Sequence, residues 1–259
     1  MAISSRLESN TLSDRVVQYI VEYIRERELQ SGDRMPSEMQ ISADMKISRG
    51  IVREAFRSLS AAGILEVGAG RSPKVGALNN ALLTHVMRHA LSTRQVSPEQ
   101  VLDLRCSIEV RASELAAEMC TEKDVADLRS AVTGMKRALK NPDSWVRHDI
   151  RFHEIISGAT GNPLFRLLVG TLRECMETSI RAGLESRTNR GQLTRIVETH
   201  SAIVDAIESR QTTRAGYIMK VHFDEAKDAL RGIADPARRE IVNQSAVIPP
   251  PSFLAGQNI

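Results

Sequence analysis

Four side chains with metal-ligand chemistry interrupt the apolar stripes of the C-terminal two thirds of this chain. Val146, Asp149, His153 and Ile156 put a carboxylate and an imidazole one helical turn apart; His200 sits among Leu193, Val197, Val204 and Ile207; His222 sits among Ala215, Ile218, Ala226 and Leu230. Two readings fit. A histidine alone in such a stripe is ordinarily a core residue bonded to a backbone group. Three of the six histidines together with an inward aspartate, brought into one bundle, would instead make an N3O set suited to Zn, Ni, Mn or Fe. A fifth residue, Arg105, breaks the stripe Val101, Ile108, Ala112, Leu115 and Met119. A buried cation needs an anion, either Glu109 one turn on or the carboxylate of a ligand that comes and goes.

A second constellation lies near the N-terminus. Arg49, Arg53 and Arg57 fall at i, i+4 and i+8, so one helix face is basic, while Ile51, Val52, Ala55, Phe56 and Leu59 form the packing side. Such a face suits the DNA major groove, where the arginine fork grips guanine or phosphate, and Ser48 with the helix N-terminus would add donors for a backbone phosphate. The alternative is a solvated face with Arg53 paired to Glu38 or Glu54.

The elements that would position these residues follow from punctuation by glycine and proline. Gly32, Pro36, Gly63 and the run Gly68 to Gly76 crowd the first third and are followed by long uninterrupted stretches. Helices are expected over Leu12 to Glu28, from Ser37 as N-cap, and over Arg49 to Ala62 with Ser48 as cap, then strand, tight turn and strand over residues 64–75. That order is a winged helix-turn-helix. Beyond it, helices are expected over residues 79–92, 98–119, 122–140, 143–158, 162–184, 189–209 and 211–232, joined by short links that favour antiparallel neighbours. The fold class is therefore mostly α: an N-terminal winged helix-turn-helix domain over residues 1–78, an antiparallel all-α bundle of six or seven helices over 79–235, and a flexible tail over 236–259.

Composition agrees. Of 259 residues 42% are hydrophobic but only 3% aromatic, which favours helices over sandwiches and barrels. The net charge of +3 is too small for DNA binding by charge alone, so any such binding depends on local arrangement. Cys106, Cys120 and Cys175 have no C-x-x-C spacing, consistent with a reducing cytoplasm, and no stretch reaches the roughly 18 apolar residues of a membrane span.

The run Gly32-Asp33-Arg34-Met35-Pro36-Ser37-Glu38, followed by Ile47-Ser48-Arg49-Gly50-Ile51-Val52-Arg53-Glu54-Ala55 and by Leu59, Gly63, Ile64 and Leu65, resembles the DNA-binding signature of the GntR family. The resemblance implies that Ser48, Arg49, Gly50 and Arg53 belong to a recognition helix, and Ala69 and Gly70 to a wing tip that enters the minor groove. Met39 and Gly50 depart from the residues many relatives carry, which bears on the operator sequence and not on the fold. Residues 98–232 resemble the FCD-type effector domain of the FadR-like branch, through Leu104-Arg105-x-x-x-Glu109, Asp149-x-x-Phe152-His153, Ala159-x-Gly161-Asn162-Pro163, Glu198-x-His200 and Met219-x-x-His222. By that resemblance Asp149, His153, His200 and His222 hold a divalent metal and Arg105 lines a ligand cavity. His85, His89 and His148 match none of these positions.

An enzyme is not indicated. His153-Glu154-Ile155-Ile156-Ser157 lacks the second histidine of H-E-x-x-H, and no phosphate loop or dinucleotide fingerprint occurs. The expectation is a homodimeric cytoplasmic repressor that binds near-palindromic operator DNA and, as the resemblance implies, responds to a small carboxylate, a sugar acid or hydroxy acid, bound in a metal-containing C-terminal cavity.

Overall fold

The computed structural model describes residues 11–68, 70–185 and 190–234, which form ten helices and two short strands. The expected tail over 236–259 and the proposed wing residue Ala69 lie outside the described residues. The chain divides into two compact units, Met1–His85 and Val86–Ile259.

In the first unit, α1 (Leu12–Glu26) starts at a capping box in which Thr11 accepts from the Asp14 N–H and the Asp14 carboxylate accepts from the Thr11 N–H. Ser37 and Gln40 make the same reciprocal cap for α2 (Glu38–Met45). The recognition-type helix α3 (Arg49–Ala61) follows a turn closed by Lys46 in the left-handed region. Val16, Ile20, Met35, Ile41, Val52, Ala55, Phe56, Leu59 and Leu65 form one buried cluster that locks the three helices and the first strand together. Strands β1 (Leu65–Glu66) and β2 (Lys74–Val75) pair antiparallel with Leu65 opposite Val75, and a bridge from Arg34 to Lys74 ties in the segment before α2.

Two glycines make this hairpin possible. Gly63 turns the chain out of α3 at φ +74°, and a Cβ on Gly76 would lie 2.1 Å from the Gly63 carbonyl oxygen. Because that obstacle is backbone, Gly76→Ala should lower the stability of this unit by about 1–3 kcal/mol, read as a lower urea midpoint. A midpoint equal to the parent's would mean that the wing does not fold back on α3 in this way.

Helix α4 (Ala81–Ser92) crosses the boundary between the units. The second unit contains α5 (Pro98–Met119), α6 (Glu122–Arg137), α7 (Pro142–Gly158), α8 (Pro163–Glu185), α9 (Arg190–Glu208) and α10 (Thr212–Ala234). Ser97-Pro98, Thr121 with Asp124, and Asn141-Pro142 supply the N-terminal signals of α5, α6 and α7. Helix α5 is central, packing on α10, α8, α7 and α9, while α6 packs on α7 and α9. Its buried face differs from the expected stripe: Glu109 rather than Ile108 continues it, and Met119 is exposed. Small residues Ala112, Ser113, Ala116 and Ala117 occupy that face, and close approach of neighbouring backbones substitutes for bulk there. Among the described residues no helix is long and apolar enough to cross a membrane.

Candidate metal centre and DNA-reading helix

Three imidazoles from three helices converge inside the second unit. His153 on α7, His200 on α9 and His222 on α10 each offer a ring nitrogen, and these atoms all lie within 4.8 Å of one another. His153 and His200 are buried and His222 is partly buried. Asp149, one turn before His153, joins them: its Oδ1 lies 3.0 Å from His200 Nε2 and 3.7 Å from His153 Nε2.

Hydrogen bonds behind the rings decide which nitrogens face inward. His200 Nδ1 lies 2.7 Å from the Ile196 carbonyl oxygen, which only accepts, so Nδ1 carries the proton. His153 Nδ1 is bonded to Glu109 Oε2, so it is likewise the protonated nitrogen when that ring is neutral. Both Nε2 lone pairs then point at the cluster. His153 Nε2 is buried without a hydrogen-bond partner, and the neutral His200 Nε2 faces a carboxylate oxygen, an acceptor against an acceptor. A cation at the focus satisfies both atoms at once. Carboxylate–imidazole pairs of the Glu109–His153 kind are what orients histidines around metals. The donor set fits a divalent ion.

Two buried arginines hold the carboxylates. Arg105 Nε donates to Glu109 Oε1 at 2.9 Å and Nη2 approaches the same oxygen at 2.8 Å, with the guanidinium carbon 5.0 Å from the Phe223 ring centre. Of the two partners open to Arg105 from sequence, the structure forms the ion pair with Glu109. Arg173 on α8 donates through Nη2 to Asp149 Oδ2 at 2.5 Å. Burial works to raise both carboxyls, but Arg105 and His153 outweigh it at Glu109, and Arg173 with the two histidines outweighs it at Asp149, so both are held below the usual carboxylate range. Burial, then His200 and His153, push His222 well below its ordinary value.

Arg173 was not singled out from sequence, although its signal is the one that exposes Arg105: it follows Val169 by four residues and precedes Met176 by three, both buried. His85 and His89 are exposed on α4, and His148 packs against Gly134, away from the cluster.

In the first unit, Ser48, Arg49, Gly50, Arg53 and Arg57 are all exposed along α3. Ser48 occupies the N-cap position in extended conformation, yet its side chain makes no capping bond. Arg53 pairs with Glu38 at 3.1 Å with half of its side chain exposed, a surface pair of small energetic weight. Gly70 sits at φ +70° between β1 and β2, with nothing within 4 Å of where a Cβ would stand.

Residues 12–75 match the family model described as bacterial regulatory proteins, gntR family, and residues 100–225 match the FCD domain. The chain belongs to the GntR family. As a GntR-family member it is a transcription regulator with a DNA-binding domain followed by an FCD effector domain. Among curated proteins it is 26% identical over 213 residues to the HTH-type transcriptional regulator LutR of Bacillus subtilis, covering 81% of this chain and 96% of that one. It is 24% identical over 221 residues to the HTH-type transcriptional repressor NanR of Salmonella schwarzengrund, covering 84% of each. A solved Streptococcus agalactiae GntR structure superposes with a TM-score of 0.58 at 22% identity, covering 83% of this chain and 99% of that one, which supports the fold.

Proposed function

We propose that this GntR regulator is a homodimeric, metal-dependent repressor released from operator DNA by a small organic acid bound in its FCD domain. The observation that carries the reading is the charge balance around the three histidines. Arg105 and Arg173 are matched by Glu109 and Asp149, so the buried quartet is neutral as it stands. Asp149, His153, His200 and His222 would hold the ion, of which zinc is the first candidate and nickel, manganese and iron the others. A divalent ion held there supplies an electropositive centre for an effector's carboxylate, because its two charges exceed what the quartet can neutralise.

The chain's own residues divide the remaining work. Glu109 and the Ile196 carbonyl fix the His153 and His200 tautomers. Arg105 holds Glu109 in place and, with Arg173, gives the acid a cationic wall to approach. In the DNA-binding unit Arg49 and Arg53 read base edges or phosphate, Ser48 and Gly50 allow close approach at the helix start, and the resemblance assigns Ala69 and Gly70 to the minor-groove contact. The repressor assignment follows the printed description of NanR, and LutR is a regulator of the same layout. A cytoplasmic location follows from action on DNA.

The test uses the full chain. Selection from a random duplex library should recover an inverted repeat, and after zinc loading the bound metal should approach one per chain. A panel of short carboxylates should contain an acid that raises the melting temperature and releases the duplex, with the effect lost in Arg105→Ala. A chain that retains no metal and is shifted by no acid overturns the sensor reading.

A further inference from the structure

Two residues of the DNA-binding unit do nothing for that unit on its own. Met39 is 63% exposed, the most exposed large hydrophobic side chain among the described residues. Gly50 lies in the first turn of α3, and nothing stands within 4 Å of where its Cβ would be. Alanine would fit there and favours a helix, so no neighbour in this chain requires the glycine. The two belong to one surface. Gly50 precedes Arg53 by three residues, which makes them neighbours on the exposed basic face of α3. Arg53 Nε donates to Glu38 Oε2 at 3.1 Å, setting the first turn of α2 beside that face, and Met39 follows Glu38. The Ser37–Gln40 capping box holds this turn, and Ile41, two residues on, is fully buried. Residues two apart on a helix point to nearly opposite sides, so Met39 projects away from the core at the α2 edge of the basic face.

A basic helix face opened by a glycine and edged by a methionine suits the major groove of duplex DNA. The base edges there offer hydrogen-bond donors and acceptors and a single kind of apolar group, the C5 methyl of thymine. A long unbranched thioether can cover that methyl without a fixed geometry. We propose that Met39 is a specificity-determining residue that packs on a thymine methyl in each half-site, beside the bases met by Arg49 and Arg53. This rests on α3 as the reading helix and adds to it a contact made from α2.

The experiment uses the full chain and the duplex recovered from a random library. Each thymine of the half-site is replaced in turn by uracil, in both halves at once, which removes only the methyl. At one position uracil should weaken binding by the parent about tenfold, the worth of two buried methyl groups, read by anisotropy at one salt concentration. Met39→Ala should bind the thymine duplex about tenfold less tightly than the parent and should distinguish thymine from uracil at that position by less than about twofold. Because both duplexes are measured on the same variant, a change in folding does not imitate this loss of discrimination. A uracil effect that survives in Met39→Ala, no sensitive thymine in the parent, or a half-site without thymine overturns the proposal. Arg49→Ala separates it from the reading beneath it. If that variant keeps its preference for the recovered repeat, or if no repeat is recovered, α3 is not the reading helix and both fall. If it loses the preference while Met39→Ala keeps the uracil effect, only the methionine contact falls.

Discussion

Arg49→Ala should abolish specific operator binding while leaving the protein folded and its effector response intact. Arg49 is exposed at the first position of α3, and among the described residues no ion pair engages it, so its loss removes nothing from the core and should change stability by no more than about 0.5 kcal/mol. Its proposed partner is the DNA. A bidentate arginine contact to a base is worth about 1–3 kcal/mol, and the proposed dimer on an inverted repeat would make it twice, so the loss doubles to about 2–6 kcal/mol, or roughly thirtyfold to twenty-thousandfold. Anisotropy titrations at one fixed salt concentration, on the selected repeat and on a scrambled duplex, would read this. The two duplexes should become nearly equivalent for Arg49→Ala. Arg49→Lys should lose most of the preference too, while keeping the salt dependence, because an ammonium replaces the charge but not the fork. Affinity for the repeat within about threefold of the parent would remove Arg49 from the reading set.

The winged unit and the helical bundle were legible in the sequence because their signals are local. Ser37 caps the helix it was expected to start, and Gly63 and the run ending at Gly76 punctuate the hairpin where it returns to α3. The stripe on α5 was misjudged by one position because periodicity weights bulky residues, whereas the face that α5 buries is lined by alanine and serine. Ser48 shows a related limit: its type suits a cap, but whether the hydroxyl caps or stays free depends on its own rotamer, and here it stays free.

At the centre, Asp149, His153, His200 and His222 were visible as polar residues in apolar stripes, and the structure brings the three imidazoles together. What spacing could not reveal is the outer ring. Glu109 stood out only as a partner for Arg105, yet it also orients His153, and Arg173 reaches Asp149 across 24 residues of sequence. Those are contacts between helices, and no periodicity within one helix encodes them.

The deeper consequence concerns His200. It is fully buried, with its Nδ1 committed to the Ile196 carbonyl and its Nε2 facing Asp149, so the ring is fixed with one nitrogen turned to the centre. His200→Ala should therefore lower bound metal from near one per chain to near none at micromolar zinc. The thermal signature separates this from ordinary core damage. Removing a buried ring lowers stability whether or not metal is present, but only loss of the site removes the increment that metal adds, about 2.7 kcal/mol at a hundredfold excess over its dissociation constant. The variant's melting temperature should thus be the same with and without zinc. His148→Ala should keep the increment, since that ring packs on Gly134 and not on the cluster. DNA release should fail in His200→Ala as well, and the reason is energetic: an effector moves the balance between two arrangements only by the difference in its affinity for them, and tenfold discrimination is 1.4 kcal/mol. An acid that has lost its electropositive anchor has little difference left to apply, so the variant should stay on the operator at acid concentrations that free the parent. If His200→Ala keeps both its metal and its zinc-dependent increment, His200 is a core residue held by the Ile196 carbonyl and leaves the ligand set.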